Sequence, residues 1–142
     1  MATPIVSDMT TRGVRVGATA FFLEDESTPY ELDGQPPQYV WGYRVLIVNN
    51  GDETIQLTGR RWLIIDGDGK RQEISGSGVM GQKPTLKPGQ AFRYVSSCPL
   101  HTHWGTMEGV LVAQGEDGTE FEVRIGRFYL TSEPRVNVPM VA

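Results

Sequence analysis

The sequence predicts an all-β protein built as an antiparallel sandwich. Three observations carry that expectation. Apolar residues recur at every second position in several short runs, the period of a strand with one buried face. Turn chemistry separates the runs at the spacing of a sandwich. No helical period lasts even three turns.

The runs follow in order. Val14, Val16, Ala18, Ala20 and Phe22 form the first apolar face. In QYVWGYRVLIVNN the odd positions Trp41, Tyr43, Val45 and Ile47 form the second. Asn49-Asn50-Gly51-Asp52 is a turn, since these residues tolerate left-handed backbone. Ile55 and Leu57 then agree in phase until Gly59-Arg60-Arg61 interrupts. A bulge there brings Trp62 and Ile64 back onto the same face. Asp66-Gly67-Asp68-Gly69 signals a hairpin that returns through Lys70 to Ile74.

The second half repeats this grammar. Lys87-Pro88-Gly89 is a turn, and Ala91 to Ser96 a short strand with Phe92 and Tyr94 on one face. Met107, Gly109, Leu111 and Ala113 alternate, and Glu116-Asp117-Gly118 turns the chain back. Phe121, Val123 and Ile125 follow, and Gly126 shifts the phase so that Phe128 and Leu130 continue the face. Trp62 and Phe121 are expected in the core, where truncation costs about 3–5 kcal/mol. Residues 1–12 and 132–142 lack a pattern and are expected to be flexible, flanking one domain over 13–131.

At 142 residues the chain is the size of one domain and needs no disulfide or metal to hold a core. Its single cysteine, Cys98, excludes an internal disulfide. The start MATPIVSDMTTRG has no basic segment followed by an apolar one, so a cytoplasmic location is expected. No apolar run is long enough to cross a membrane as a helix. The formal charge is −4 with a pI near 5.1, and basic pairs are scattered, which argues against nucleic acid.

The segment 76–81, Gly-Ser-Gly-Val-Met-Gly, is a formal G-x-G-x-x-G. A dinucleotide fingerprint needs a helix opening at its third glycine. Pro84 and Pro88 leave room for about one helical turn. The ribose-binding acid is missing too, because no acidic residue lies between Glu73 and Glu108. What remains is an anion-binding nest of backbone amides, with Gly76, Ser77, Gly78, Gly81 and Lys83 as its candidates. A phosphate, pyrophosphate or carboxylate is its expected ligand class.

Cys98, His101 and His103 are the only cysteine and histidines, and they lie within six residues. Alternate residues of an extended segment share a side, so two imidazoles and a thiolate are candidate ligands for a divalent metal. Pro99 interposes a redirection of the chain, and no fourth ligand is identifiable. Two solvated histidines and a buried apolar cysteine are the simpler account. A nucleophilic Cys98 would need a neighbouring cation or helix N-terminus, and no G-x-S-x-G elbow occurs.

These segments together resemble the ApaG family. YRVLIVNNGDETIQL resembles its second strand, turn and third strand. Arg60, Trp62, Leu63-Ile64-Ile65-Asp66 and Gly69-Lys70 resemble its next segment. GSGVMGQKPTLKPGQAFRYVSSCPL resembles its long signature of glycine loop, Pro-Gly turn and Tyr-x-Ser-x-Cys-Pro-Leu. Gly105-Thr106-Met107-x-Gly109 and Phe121-x-Val123-x-Ile125-x-x-Phe128-x-Leu130 resemble its closing elements. His101 and His103 depart from it, at positions more often small or polar in the family.

The resemblance implies an immunoglobulin-like or fibronectin-III-like antiparallel β-sandwich. It implies no reaction. It carries a genetic link to cobalt resistance and magnesium efflux in bacteria. Its use as an appended domain in eukaryotic F-box and polymerase-delta-interacting proteins implies a protein-interaction module. The expected function is therefore a non-enzymatic binding module with no cofactor, acting through a strand edge or the loops around 75–106. The alternative is a sensor for an anion at the glycine loop or a divalent metal near His101 and His103. Trp104, or Trp41 and Tyr43 if exposed, would supply an aromatic anchor, although the core is the expected place for the latter two. Exposed edges allow a homodimer without requiring one.

Overall fold

The computed structural model describes residues 6–132. Nine strands form two antiparallel sheets that close on a shared apolar core. The strands are β1 Ser7–Thr11, β2 Val14–Phe22, β3 Tyr39–Asn49, β4 Ile55–Asp66, β5 Arg71–Ser77, β6 Thr85–Leu86, β7 Ala91–Leu100, β8 Trp104–Gln114 and β9 Glu120–Thr131. Helical structure among the described residues is limited to one 3-10 turn, Glu24–Glu26. One sheet runs β1-β2-β3-β7. The other runs β5-β4-β8-β9, with β6 also paired to β4.

The expected faces are the buried ones. Val14, Val16 and Ala18 pack with Trp41, Tyr43, Val45 and Ile47 from the first sheet. Ile55, Leu57, Trp62, Ile64, Met107, Leu111, Val123 and Phe128 meet them from the second. Trp41 is fully buried, and its indole N–H donates to the Thr131 carbonyl at 2.9 Å. A buried donor without a partner would cost free energy comparable to a lost hydrogen bond.

Two irregularities keep the phases right. Along β4 the pairing with β8 slips between Leu57 and Gly59, leaving Thr58 as an extra residue. The slip falls one residue before the predicted Gly59-Arg60-Arg61 interruption. Past it, Arg60, Trp62 and Ile64 share the inward side that Ile55 and Leu57 held. Along β9 the pairing slips opposite Glu108, at Gly126 and Arg127, as the predicted phase shift at Gly126 requires.

Three expectations need correction. Residues 7–11, expected to lack regular structure, form a strand: they pair in register with Val14 to Ala18 through an Arg12–Gly13 turn in which both φ angles are positive. That strand was not legible because SDMTT has no apolar alternation, and it is held by backbone pairing. Residues 1–5 and 133–142 of the expected flexible ends lie outside the described residues. The strand starting at Ala91 does not end at Ser96 but continues through Pro99 to Leu100. Asn49 N–H donates to the Gln90 carbonyl, so residues 90, 92 and onward by twos bond inward to β3, and Pro99 falls on the outward parity. Its missing N–H removes no bond from the sheet, which is how an edge strand accommodates proline. Finally, Phe121 is only half-buried, with the Arg12 guanidinium 4.2 Å above its ring.

The two flanks of the sandwich differ. On one, β1 and β2 pack against β9. Ser7 Oγ donates to the Gly126 carbonyl at 2.6 Å, and Arg124 N–H donates to Thr11 Oγ1 at 3.1 Å. On the other, the edge strands β5 and β7 stand at the borders of their sheets and leave a cleft between them.

Truncating Trp62, 3% exposed and packed edge-on against Tyr43 and Phe128, should cost about 3–5 kcal/mol in urea denaturation. Phe121→Ala should cost about 1–2 kcal/mol, since part of that ring already meets water.

Candidate functional site

The cleft between β5 and β7 encloses about 220 Å3. Its second-sheet wall is Arg60, Trp62 and Ile64 of β4 with Gln72 and Ile74 of β5. These face one another by register: Arg60 opposite Gly76, Trp62 opposite Ile74, Ile64 opposite Gln72. The first-sheet wall is Tyr43 of β3 with Tyr94, Ser96 and Cys98 of β7, and Met80 overhangs the rim.

Arg60 is the unusual member. A cation on the inward side of a strand normally needs a carboxylate. This guanidinium instead donates Nη1 to the carbonyls of Ser77 at 3.4 Å and Gly78 at 3.2 Å. The three ion pairs found among the described residues are Arg15–Asp8, Arg61–Glu122 and Arg127–Glu108, so Arg60 is in none of them. Tyr94 is the second unusual member. It is 8% exposed, and its hydroxyl is buried without a hydrogen-bond partner. The Trp62 indole lies near enough to influence its ionisation, but no well-formed bond joins them.

The glycine segment frames this cleft. Gly76 sits in β5, where a Cβ would come within 2.8 Å of Arg60 Nη1; the missing side chain is the guanidinium's seat. Gly78 has φ +71°, and a Cβ there would lie 2.6 Å from the Gln82 carbonyl. Val79 and Gln82 exchange backbone bonds of 2.7 and 3.0 Å around Met80 and Gly81, both at positive φ. That is a two-residue hairpin turn of the I′ kind. No helix follows. Of the expected nest residues, Gly78 donates its amide to the Thr58 carbonyl, and the neighbouring amides of Val79 and Gln82 are spent on each other's carbonyls. Gly76 and Ser77 belong to the strand itself, and Lys83 lies beyond the turn, its carbonyl accepting from Gln56 at 3.1 Å.

The structure does not bring Cys98, His101 and His103 together. Cys98 is 4% exposed and faces the core. His101 is exposed, its Nδ1 2.9 Å from the Pro37 carbonyl, and His103 meets the Tyr39 ring edge-on. Among the described residues no three His, Cys, Asp or Glu side chains are grouped to hold a metal ion. Of the aromatic candidates, Trp41 and Tyr43 are buried. Trp104 is exposed and stacks on Tyr129, with centroids 6.5 Å apart and planes 12° from parallel.

The ApaG domain profile matches residues 29–114. This chain belongs to the ApaG family. A protein ApaG from Brucella canis is 49% identical over 120 residues, covering 84% of this chain and 88% of that one. The Brucella anthropi protein ApaG is 48% identical over the same shares. A Bordetella pertussis protein whose crystal structure bears the name ApaA superposes with a TM-score of 0.77 at 40% identity, covering 90% of this chain and 97% of that one. A segment of Bacteroides uniformis β-glucuronidase 2 superposes with a TM-score of 0.51 at 14% identity, covering 80% of this chain and 13% of the enzyme; that likeness is one of fold alone. Every wall residue of the cleft falls inside the span matched by the ApaG domain. No helix among the described residues is long and apolar enough to cross a membrane.

Sequence reasoning missed the cleft as a site. It placed Trp62 and Ile64 inward through the bulge, and the same step carries Arg60 inward with them. That was the available signal. The pairing of Arg60 with Gly76 was not available, because it depends on the register of the β4–β5 hairpin.

Burial sets the ionisation of the wall groups. It pushes the Cys98 thiol up to about 11. It also raises both phenols: Tyr43 is partly restored by Ser96 and by Arg60, and Tyr94 is held up further by the neighbouring Tyr43. Each group is neutral in its favoured form, so each stabilises the fold below its unfolded-state value and loses that contribution as the pH rises through the folded one. Urea midpoints should therefore fall between about pH 9 and about pH 11, with Cys98 accounting for on the order of 2 kcal/mol. The fall should shrink in Cys98→Ala, and a thiol reagent at neutral pH should label the native protein far more slowly than the urea-unfolded chain.

Proposed function

We propose that this ApaG domain is a non-enzymatic binding module that takes an extended segment of a partner protein onto the open edge of β5. The observation that carries the reading is the state of that strand. All seven residues, Arg71 to Ser77, are exposed, and β5 is hydrogen-bonded to β4 on one side only. Asp66 N–H donates to the Lys70 carbonyl and Gly78 N–H to the Thr58 carbonyl, which fixes the even-numbered residues as the ones bonded to β4. Glu73 and Ser75 therefore direct their amides and carbonyls outward, and Ser77 its amide, the Ser77 carbonyl being taken by Arg60. A row of unpaired backbone groups is a template for a further strand. On β7, Pro99 interrupts the corresponding outward row, so β5 is the better acceptor.

Three further facts support a binding role over a catalytic one. A thiol raised to about 11 in a buried site is a poor nucleophile at neutral pH. The carboxylates with displaced ionisation, Asp8 and Asp117, are exposed and shifted downward, Asp8 chiefly by its bond to Arg15 and Asp117 by its bonds to Thr119. Neither direction suits a general acid. The curated relatives above carry no enzymatic name. In this reading the link to cobalt and magnesium runs through the partner, not through chelation by Cys98, His101 and His103. A cytoplasmic partner and a homodimer through the β5 edge both belong to this proposal.

Ser75→Pro tests it. Proline at 75 removes an outward N–H and leaves the β4–β5 bonds of residues 74 and 76 in place. The variant should fold, as judged by its melting curve, and should lose at least about tenfold in affinity for a partner captured by the wild-type chain. A captured partner that binds the proline variant as well as the wild type would overturn the reading.

A further inference from the structure

We propose that the cleft between β5 and β7 is a binding site for a small organic monocarboxylate with a compact apolar body, such as an arylacetate. The site would be distinct from the strand edge and would not depend on it.

Arg60 is the cationic side chain in the cleft wall, and its guanidinium leans on neutral carbonyls. No carboxylate lines the cleft, and the chain from residue 74 to residue 107 contains none. A guanidinium donates five N–H groups in a planar fork that matches a carboxylate. With two weak carbonyl bonds on Nη1, most of that capacity is open. A single uncompensated positive charge selects a ligand of charge −1 over phosphate or pyrophosphate, whose higher charge would be poorly matched and poorly solvated among aromatic walls.

The second observation is independent of the first. Tyr94 presents a hydroxyl, buried and unpartnered, on the opposite wall of the same cleft. A native protein rarely leaves such a group unsatisfied. A ligand carboxylate on the Arg60 guanidinium answers the first, and a small shift of the wall that turns the Tyr94 hydroxyl to the ligand answers the second. The remaining wall is Trp62, Ile64, Ile74 and the thioether of Met80, a surface for a ring or branched alkyl group.

Volume sets the size. A cavity of about 150 Å3 accommodates benzene. The 220 Å3 here suits a ligand on the order of ten non-hydrogen atoms. A nucleotide is far larger than this volume. The larger groove over Arg61, Glu73, Glu108, Glu122 and Arg124 makes no rival, because it is open, mixed in charge and crossed by the Arg61–Glu122 pair.

The test uses the purified chain with no protein partner, so its outcome is separate from that of the strand-edge proposal. Phenylacetate, benzoate, phenylacetamide and inorganic phosphate are titrated by amide and tryptophan-indole NMR. Phenylacetate should give saturable shifts at residues of β4, β5 and β7 around the cleft and bind at least about tenfold more tightly than its neutral amide. Arg60→Gln should abolish that preference, and Tyr94→Phe should weaken both ligands. If Arg60→Gln fails to fold, the carboxylate-over-amide preference of the wild type remains the test of charge. Three outcomes overturn the proposal. One is no saturable shift up to about 10 mM for any probe. Another is equal binding of acid and amide. The third is a response to phosphate alone, centred on residues 78–82.

Discussion

One extra residue in β4 governs the rest of this molecule. Before Thr58, Ile55 and Leu57 face the core and β6 lies along the strand's edge. After it, Arg60, Trp62 and Ile64 face inward and β5 takes that edge. A strand with period two cannot otherwise change its inward parity. The chain must also pass from one edge partner to the next across the step. Gly78 N–H bonds the Thr58 carbonyl at 2.7 Å, and the Val79–Gln82 hairpin fills the interval. The glycines that imitate a nucleotide fingerprint are thus the joinery of a bulge. They admit a guanidinium, avoid a carbonyl and close a tight turn.

The same step explains why the two flanks are unlike. Where β1 and β2 meet β9, side-chain-to-backbone bonds from Ser7 and Thr11 seal the sandwich. Where β5 meets β7, an inward arginine stands where an aliphatic residue would complete the core. The sheets therefore cannot close there without burying an unpaired charge, which costs several kcal/mol. The opening, the exposed strand and the polar groups of the walls share that single origin.

Most of the fold was legible because burial imposes alternation. Trp41 to Ile47 and Val14 to Ala18 could be placed from spacing alone, and the slips near Gly59 and Gly126 showed as breaks in phase. What was illegible depended on backbone pairing. The polar strand Ser7–Thr11 has no apolar face to announce it. Pro99 reads as a break until the neighbour shows which way its nitrogen points. The cluster Cys98, His101 and His103 is close in sequence, yet the thiol turns to the core and both imidazoles turn out. The ApaG likeness identified the family through whole segments such as Tyr94 to Leu100, while the inward sense of Arg60 emerged only from register.

The three tryptophans occupy three different surroundings. Trp41 is sealed in the interior and bonded to a carbonyl, Trp104 lies at the surface against Tyr129, and Trp62 borders the cleft. Indole emission depends on local polarity and on nearby quenchers, so each ring reports on a separate part of the molecule. Excitation at the red edge favours Trp104, iodide removes it selectively, and what is left divides between a silent reference and a sensor at the opening. The protein carries its own optical gauge, and no attached dye is needed to watch that opening fill.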